Sequence, residues 1–121
     1  INRGYVEDLS IEYLSCDIFL SPSSTAVGGR TSILEAMAHG CCVLTTSYER
    51  NTWSHLKNYH NIIFASGAED ITNKILEFHT NNNKLLEIGK NARLTFEKHY
   101  AAQKVVKDYE NIMIRLVKNY G

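Results

Sequence analysis

The sequence predicts an α/β fold, a parallel sheet wrapped by helices and continued by a helical C-terminal tail, and three observations predict it. Short apolar runs near residues 18–20, 43–46 and 62–64 alternate with helical periods over the first 66 residues, the order of elements that a parallel sheet requires. The run Ile18-Phe19-Leu20 is continuously apolar, as strands covered on both faces are. From Glu69 onward the apolar residues recur at helical spacing alone. Residues 1–66 thus form an alternating β/α portion and residues 67–121 a helical portion of one domain, long enough to bury a core.

In chain order, Gly4-Tyr5-Val6 reads as the end of a first strand. Asp8 can cap a short helix over residues 9–15, with Ile11 and Leu14 facing inward. The strand at 18–20 leads through Pro22-Ser23 and a Gly28-Gly29 turn into a helix over 31–39. There Ile33, Leu34, Met37 and Ala38 are apolar, and Gly40 takes the position of a terminator. After the strand at 43–46, residues 47–60 are polar and aromatic, without period beyond one turn near Trp53 and Leu56, and read as a surface loop. Ile62-Ile63-Phe64 closes the series of strands. Ile71, Ile75, Leu76 and Phe78 then share one helical face, and Leu85, Ile88, Ala92 and Phe96 another. Val105, Tyr109, Ile112 and Leu116 mark a last, core-facing helix. Four strands are fewer than the roughly five or six of open parallel sheets, so the sequence is expected to be a fragment of a larger domain with further strands upstream.

Thirteen basic residues balance 13 acidic ones, so no long-range field draws in nucleic acid, and phosphate binding has to come from local geometry. Cysteines 16, 41 and 42 cannot all pair, and no C-x-x-C or histidine cluster suggests zinc; a reducing, cytoplasmic setting is expected. No apolar run approaches the roughly 20 residues of a membrane span, and the N-terminus lacks a secretion signal.

Residues 21–40 concentrate the chemistry. A strand end, a glycine pair and a helix start in succession make an anion cradle, because glycine lets backbone approach a ligand and the first helical N–H groups face it with the helix dipole behind them. Glu35 is expected in the first turn of that helix. Ser32 and Glu35 also fit the S-x-x-E capping box, in which the glutamate bonds the N-cap amide and touches no ligand. Arg30 suits a phosphate partner or a solvated side chain equally. His39, just before Gly40, reads as structural at the negative end of the dipole, and Cys41 and Cys42 as small core residues. Tyr48, Trp53 and Tyr59, with His55 and His60 in the same loop, suit a ligand contact or plain packing and solvation. The last helix carries Lys104, Lys107, Arg115 and Lys118, a membrane-surface pattern that Asp108 and Glu110 speak against.

Gly4-Tyr5-Val6, Asp8-Leu9, Tyr13, Asp17-Ile18-Phe19-Leu20, Pro22-Ser23, Gly28-Gly29 and Glu35-Ala36-Met37-Ala38-His39-Gly40 resemble, in order and spacing, the C-terminal domain of the group-1 nucleotide-sugar glycosyltransferases. The resemblance extends to Asn61-Ile62-Ile63-Phe64 and Asn91-Ala92-Arg93, and the EAMAxG block carries most of its specificity. It implies a partial Rossmann-like sheet, the C-terminal half of the two-domain GT-B architecture. It implies a nucleotide-sugar donor with the ribose hydroxyls on Glu35, whose carboxylate offers only acceptors. The diphosphate and sugar would face Gly28, Gly29, Arg30, Thr31 and Ser32, and the base would lie near Tyr5 and Val6. It further implies sugar transfer with retention to a glycan or lipid acceptor held by an N-terminal domain, and no cofactor or bound metal. Without that other domain the chain alone is expected to be inactive.

The family pattern has two glutamates eight positions apart, the first contacting the donor sugar near the reacting carbon. Counting back from Glu35 gives Val27, counting forward from Pro22-Ser23 gives Ala26, and no acid occurs between Asp17 and Glu35. Neither side chain can stabilise the charge of an oxocarbenium-like transition state. The catalytic residue is therefore unassigned, and two rivals stand beside the transferase: a non-catalytic nucleotide-sugar-binding or regulatory domain, and a sugar-nucleotide epimerase. A receiver-like domain would need an acidic cluster at strand ends, which the chain lacks.

Overall fold

In the computed structural model, residues 2–24, 30–47 and 53–121 are described. Among them β1 (Ile18–Ser21), β2 (Cys42–Thr46) and β3 (Ile63–Ala65) form one parallel sheet in that order. Ile18 stands opposite Cys42, and Leu44 opposite Ile63. Five helices accompany it: α1 (Ser10–Ser15), α2 (Thr31–Ala38), α3 (Ala68–Phe78), α4 (Asn82–His99) and α5 (Ala102–Tyr120). The fold is α/β with a helical C-terminal portion, as the alternation of runs predicts.

The two-residue period of the strands divides the core into two clusters. Val43, Ile62 and Phe64 join Ile33, Ala36 and Met37 of α2, Tyr13 of α1 and Ala92 of α4. Cys42, Leu44, Ile63 and Ala65 join Phe78 of α3 and Leu85 and Ile88 of α4. Central β2 is buried at every residue. Burial pushes the Cys41 and Cys42 thiols up to about 12, as suits core residues.

α2 ends as Gly40 suggests. Gly40, at φ +76°, donates to the Met37 carbonyl at 3.0 Å and Cys41 to the Ala36 carbonyl at 3.0 Å, the paired bonds of a Schellman motif. That turn is where α4 comes closest, through Gly89.

Several expectations are corrected. Residues 4–6 form no strand, so three strands are described rather than four. Edge strand β1 is not covered on both faces; Leu20 is exposed. In α1, Ile11 and Leu14 face solvent and Tyr13 is the buried residue, since Tyr13 lies about 200° around the helix from Ile11 and about 100° from Leu14. Asp8 does accept from the Ser10 amide at 2.9 Å. In α3, Ile71 and Phe78 pack inward, whereas Leu76 is exposed for the same angular reason. The largest correction is α5, which buries none of its residues. Both clusters are filled without it. Among the described residues no helix is long and apolar enough to cross a membrane.

The segment before β3 is more than a surface loop. Leu56 is buried, and the buried Asn61 ties the segment together. Its Oδ1 accepts from the Lys57 amide at 2.7 Å, and its Nδ2 donates to the His55 carbonyl at 2.9 Å and to Thr95 Oγ1 at 2.8 Å. Asn61→Ala strands those partners and is expected to cost about 2 kcal/mol, read as a lower urea midpoint. An unchanged midpoint would refute that role.

Candidate functional site

Sheets of this class present ligands at the carboxyl ends of their strands, and here described residues at those ends line a cavity. Pro22, Ser23 and Ser24 after β1, Thr46 of β2, and Ser66 to Ala68 after β3 line a cavity of about 500 Å³. The Ser23 amide donates to Thr46 Oγ1 at 3.2 Å, and Thr45 Oγ1 donates to the Ser21 carbonyl at 2.7 Å, which fixes how the chain leaves β1. Gly28, Gly29, Val27 and Ala26, on which the glycine cradle and the missing carboxylate rest, lie outside the described residues.

The chain re-enters at Arg30, the N-cap of α2 with extended backbone. Its Nη1 donates to Ser21 Oγ and to the Pro22 carbonyl, both at 3.1 Å. Arg30 therefore braces the helix start against the strand end, so that Thr31 and Ser32 open the helix beside the carboxyl end of β1. Among the described residues no side-chain acceptor caps the start of α2, where an anion would be held.

That geometry removes the capping box. With Arg30 as N-cap, Ser32 is the second helical residue, and Glu35 lies in the second turn rather than the first. The exposed Glu35 carboxylate instead accepts from the Tyr13 hydroxyl, 3.2 Å to Oε2. Tyr13 is fixed in turn: its ring stacks on His39 at 5.0 Å and 21°, and meets Phe19 at 5.4 Å. His39 Nδ1 lies 2.8 Å from the Glu35 carbonyl, in keeping with a structural role at the helix end. Burial, with the adjacent Glu35 carboxylate, pushes the Tyr13 hydroxyl up to about 12, so it stays a donor through the neutral range.

Glu35, Arg30, Thr31 and Ser32 are thus gathered on one short helix beside the strand ends. Tyr5 and Val6 are not brought into contact with them; Tyr5 is 92% exposed and Val6 half-buried. What sequence reasoning missed is Tyr13 as the residue that positions Glu35. The two are 22 positions apart, on different helices, with no periodic signal to link them. Of the aromatic and histidine residues before β3, Trp53 packs edge-on to Tyr100, Tyr59 lies against Phe78 and Lys74, and His55 stacks on His99. Tyr48 lies outside the described residues.

The chain is 29% identical over 102 residues to an uncharacterised glycosyltransferase of Methanocaldococcus jannaschii. The alignment covers 84% of this chain and 26% of that protein, so the chain spans about a quarter of the relative's length. The family of group 1 glycosyl transferases matches residues 2–95, which takes in the sheet, α1 to α3 and most of α4. On that match, the chain belongs to the group 1 glycosyltransferases.

Proposed function

We propose that this chain, as a single unit over residues 1–121, is part of the C-terminal donor-binding domain of a glycosyltransferase. The whole protein moves a sugar from a nucleotide-diphosphate donor to a glycan or lipid acceptor, with retention of configuration and without a bound metal. The acceptor is held by an N-terminal domain, so the chain alone is inactive. The reaction is placed in the cytoplasm, with the membrane face as the site if the acceptor is a lipid. Glu35 takes the ribose hydroxyls. Thr31, Ser32 and Arg30, with the backbone of Gly28 and Gly29, face the diphosphate, and Tyr5 and Val6 lie toward the base. The observation that carries this reading is the Tyr13–Glu35 contact. It leaves the glutamate turned toward Tyr13 and away from the start of α2, where a capping role would have folded it back. The absence of an acid between Asp17 and Glu35 favours a second reading, a nucleotide-sugar-binding domain without catalysis. Calorimetric titration of the full-length protein with UDP, GDP, ADP and their sugars, beside Glu35→Ala, tests the binding claim. One nucleotide series binding saturably, and lost in the variant, is expected; no binding to any of them overturns it. Product analysis with the bound donor then separates transfer from epimerisation and from binding alone.

A further inference from the structure

The segment that enters β3 does so at the amino end of the sheet, opposite the strand ends that carry Pro22 and the start of α2. There, residues 55–61 and the last turns of α4 enclose a cavity of about 270 Å³. Lys57 and His60 line it from the segment, Lys98 and His99 from α4, and His55 joins them. We propose that this cavity binds a phosphate-class anion, either inorganic phosphate or a terminal phosphate monoester.

The charge balance is the first ground. No carboxylate among the described residues lines the cavity, and neither Lys57 nor Lys98 is ion-paired with a described acid. What distinguishes the two lysines is that they converge, with three histidines, on one cavity lined from two elements. Lys98 and His99 alone would be accounted for by the negative end of the α4 dipole. Lys57 and His60 come from another element and exceed that need.

The second ground is the histidine pair. The rings of His55 and His99 lie face to face, centroids 3.6 Å apart and 8° from parallel. The His55 amide donates to the Tyr100 hydroxyl at 3.2 Å, and Tyr100 also meets both imidazoles, so the stack is held from the α4–α5 junction. Parallel rings direct their nitrogen lone pairs side by side instead of toward one point, and among the described residues no group of three or more His, Cys, Asp or Glu is placed to hold a metal. A cation is therefore the wrong guest. Two stacked imidazoles repel when both are charged, and the groups around them, Lys57 and His60 on the segment, Lys98 on α4 and Lys104 at the start of α5, add positive charge. Partial burial, then His55, Lys98 and Lys104, hold His99 below the usual imidazole value. A bound anion relieves that repulsion and draws in protons, so for an anion whose own charge is constant, affinity falls as pH rises through the histidine range.

Calorimetry of the full-length protein with inorganic phosphate and with sulfate at about pH 6 and about pH 8 tests this. Wild type is expected to bind phosphate saturably, and to bind sulfate, whose charge is constant over this range, more weakly at the higher pH. The Lys57→Ala/Lys98→Ala double variant, or Lys98→Glu alone, is expected to lose at least about tenfold in affinity with thermal unfolding unchanged. Phosphate binding is expected to persist with the donor site saturated by its nucleoside diphosphate, and the lysine variants are expected to keep wild-type nucleotide affinity, which separates this cavity from the donor site. Absence of saturable binding at both pH values, or binding undiminished in both lysine variants, overturns the proposal. Flotation with phosphatidylcholine vesicles containing phosphatidic acid identifies the source of the phosphate. Lysine-dependent co-flotation assigns it to a lipid headgroup, and phosphate binding without co-flotation to a soluble anion.

Discussion

Gly89→Ala is expected to cost the fold about 3 kcal/mol, in the upper range for overpacking, and so to remove a large part of a marginal stability. A Cβ at position 89 would stand 2.1 Å from the Gly40 carbonyl oxygen and 3.1 Å from its carbon, and 3.3 Å from the Cys41 carbonyl carbon. These are backbone atoms of the turn that ends α2, and the turn's amides are already committed to Met37 and Ala36. Moving it aside would shift Cys41, the residue before β2, and with it the central strand. Helix propensity alone gives the opposite sign, since alanine is favoured over glycine in a helix interior by about 1 kcal/mol. Urea unfolding decides between them. The midpoint should fall at an unchanged slope, while Glu87→Ala, on the exposed face of the same helix, moves it little. A Gly89→Ala protein as stable as wild type would mean that α4 and the Gly40 turn do not meet as described.

The parts of the fold that sequence made legible are those whose cause is local. Gly40 terminates α2 because its positive φ suits a residue without a Cβ, and that signal sits in the chain beside the helix it ends. Leu85, Ile88 and Ala92 recur at helical spacing and are buried. The exposure of Ile11, Leu14 and Leu76 was not legible, because an apolar residue on a short helix carries no mark of which side meets the sheet. The period of Val105, Tyr109, Ile112 and Leu116 is real, and α5 is a helix, yet periodicity shows only that a face exists. The two clusters were already filled. At the site, the order of Pro22-Ser23, Arg30 and Glu35 along the chain was enough to nominate residues. The choice between capping box and ligand role was not, since S-x-x-E specifies a cap only if the helix begins at the serine. Arg30, bonded to Ser21 and Pro22 across the strand end, lies at the N-cap instead. That is a long-range cause, and Tyr13 reaching Glu35 from α1 is another.

Under the proposed donor-binding role, Glu35→Ala is expected to weaken the cognate nucleoside diphosphate by about 3 kcal/mol, roughly a hundredfold in Kd, the value of two hydrogen bonds to a charged acceptor. Glu35→Gln keeps one acceptor oxygen and should lose about half of that energy. Stability should fall by no more than about 1 kcal/mol in Glu35→Ala, the loss of the Tyr13 bond, because the carboxylate is exposed and caps nothing. Tyr13→Phe separates positioning from contact. The phenylalanine ring keeps its stack on His39 and its packing against Phe19, so unfolding should shift by no more than about 1 kcal/mol, one hydrogen bond. Affinity should nevertheless fall severalfold, because the carboxylate must then be ordered by the ligand itself. With the Tyr13 hydroxyl pushed up to about 12, it remains protonated at neutral and mildly alkaline pH. The difference between wild type and Tyr13→Phe should accordingly be flat across that range, and a difference that titrates near neutrality would point to another group. A glutamate that merely secured the helix start would give the reverse pattern, with Glu35→Ala lowering the urea midpoint and leaving nucleotide affinity where it was.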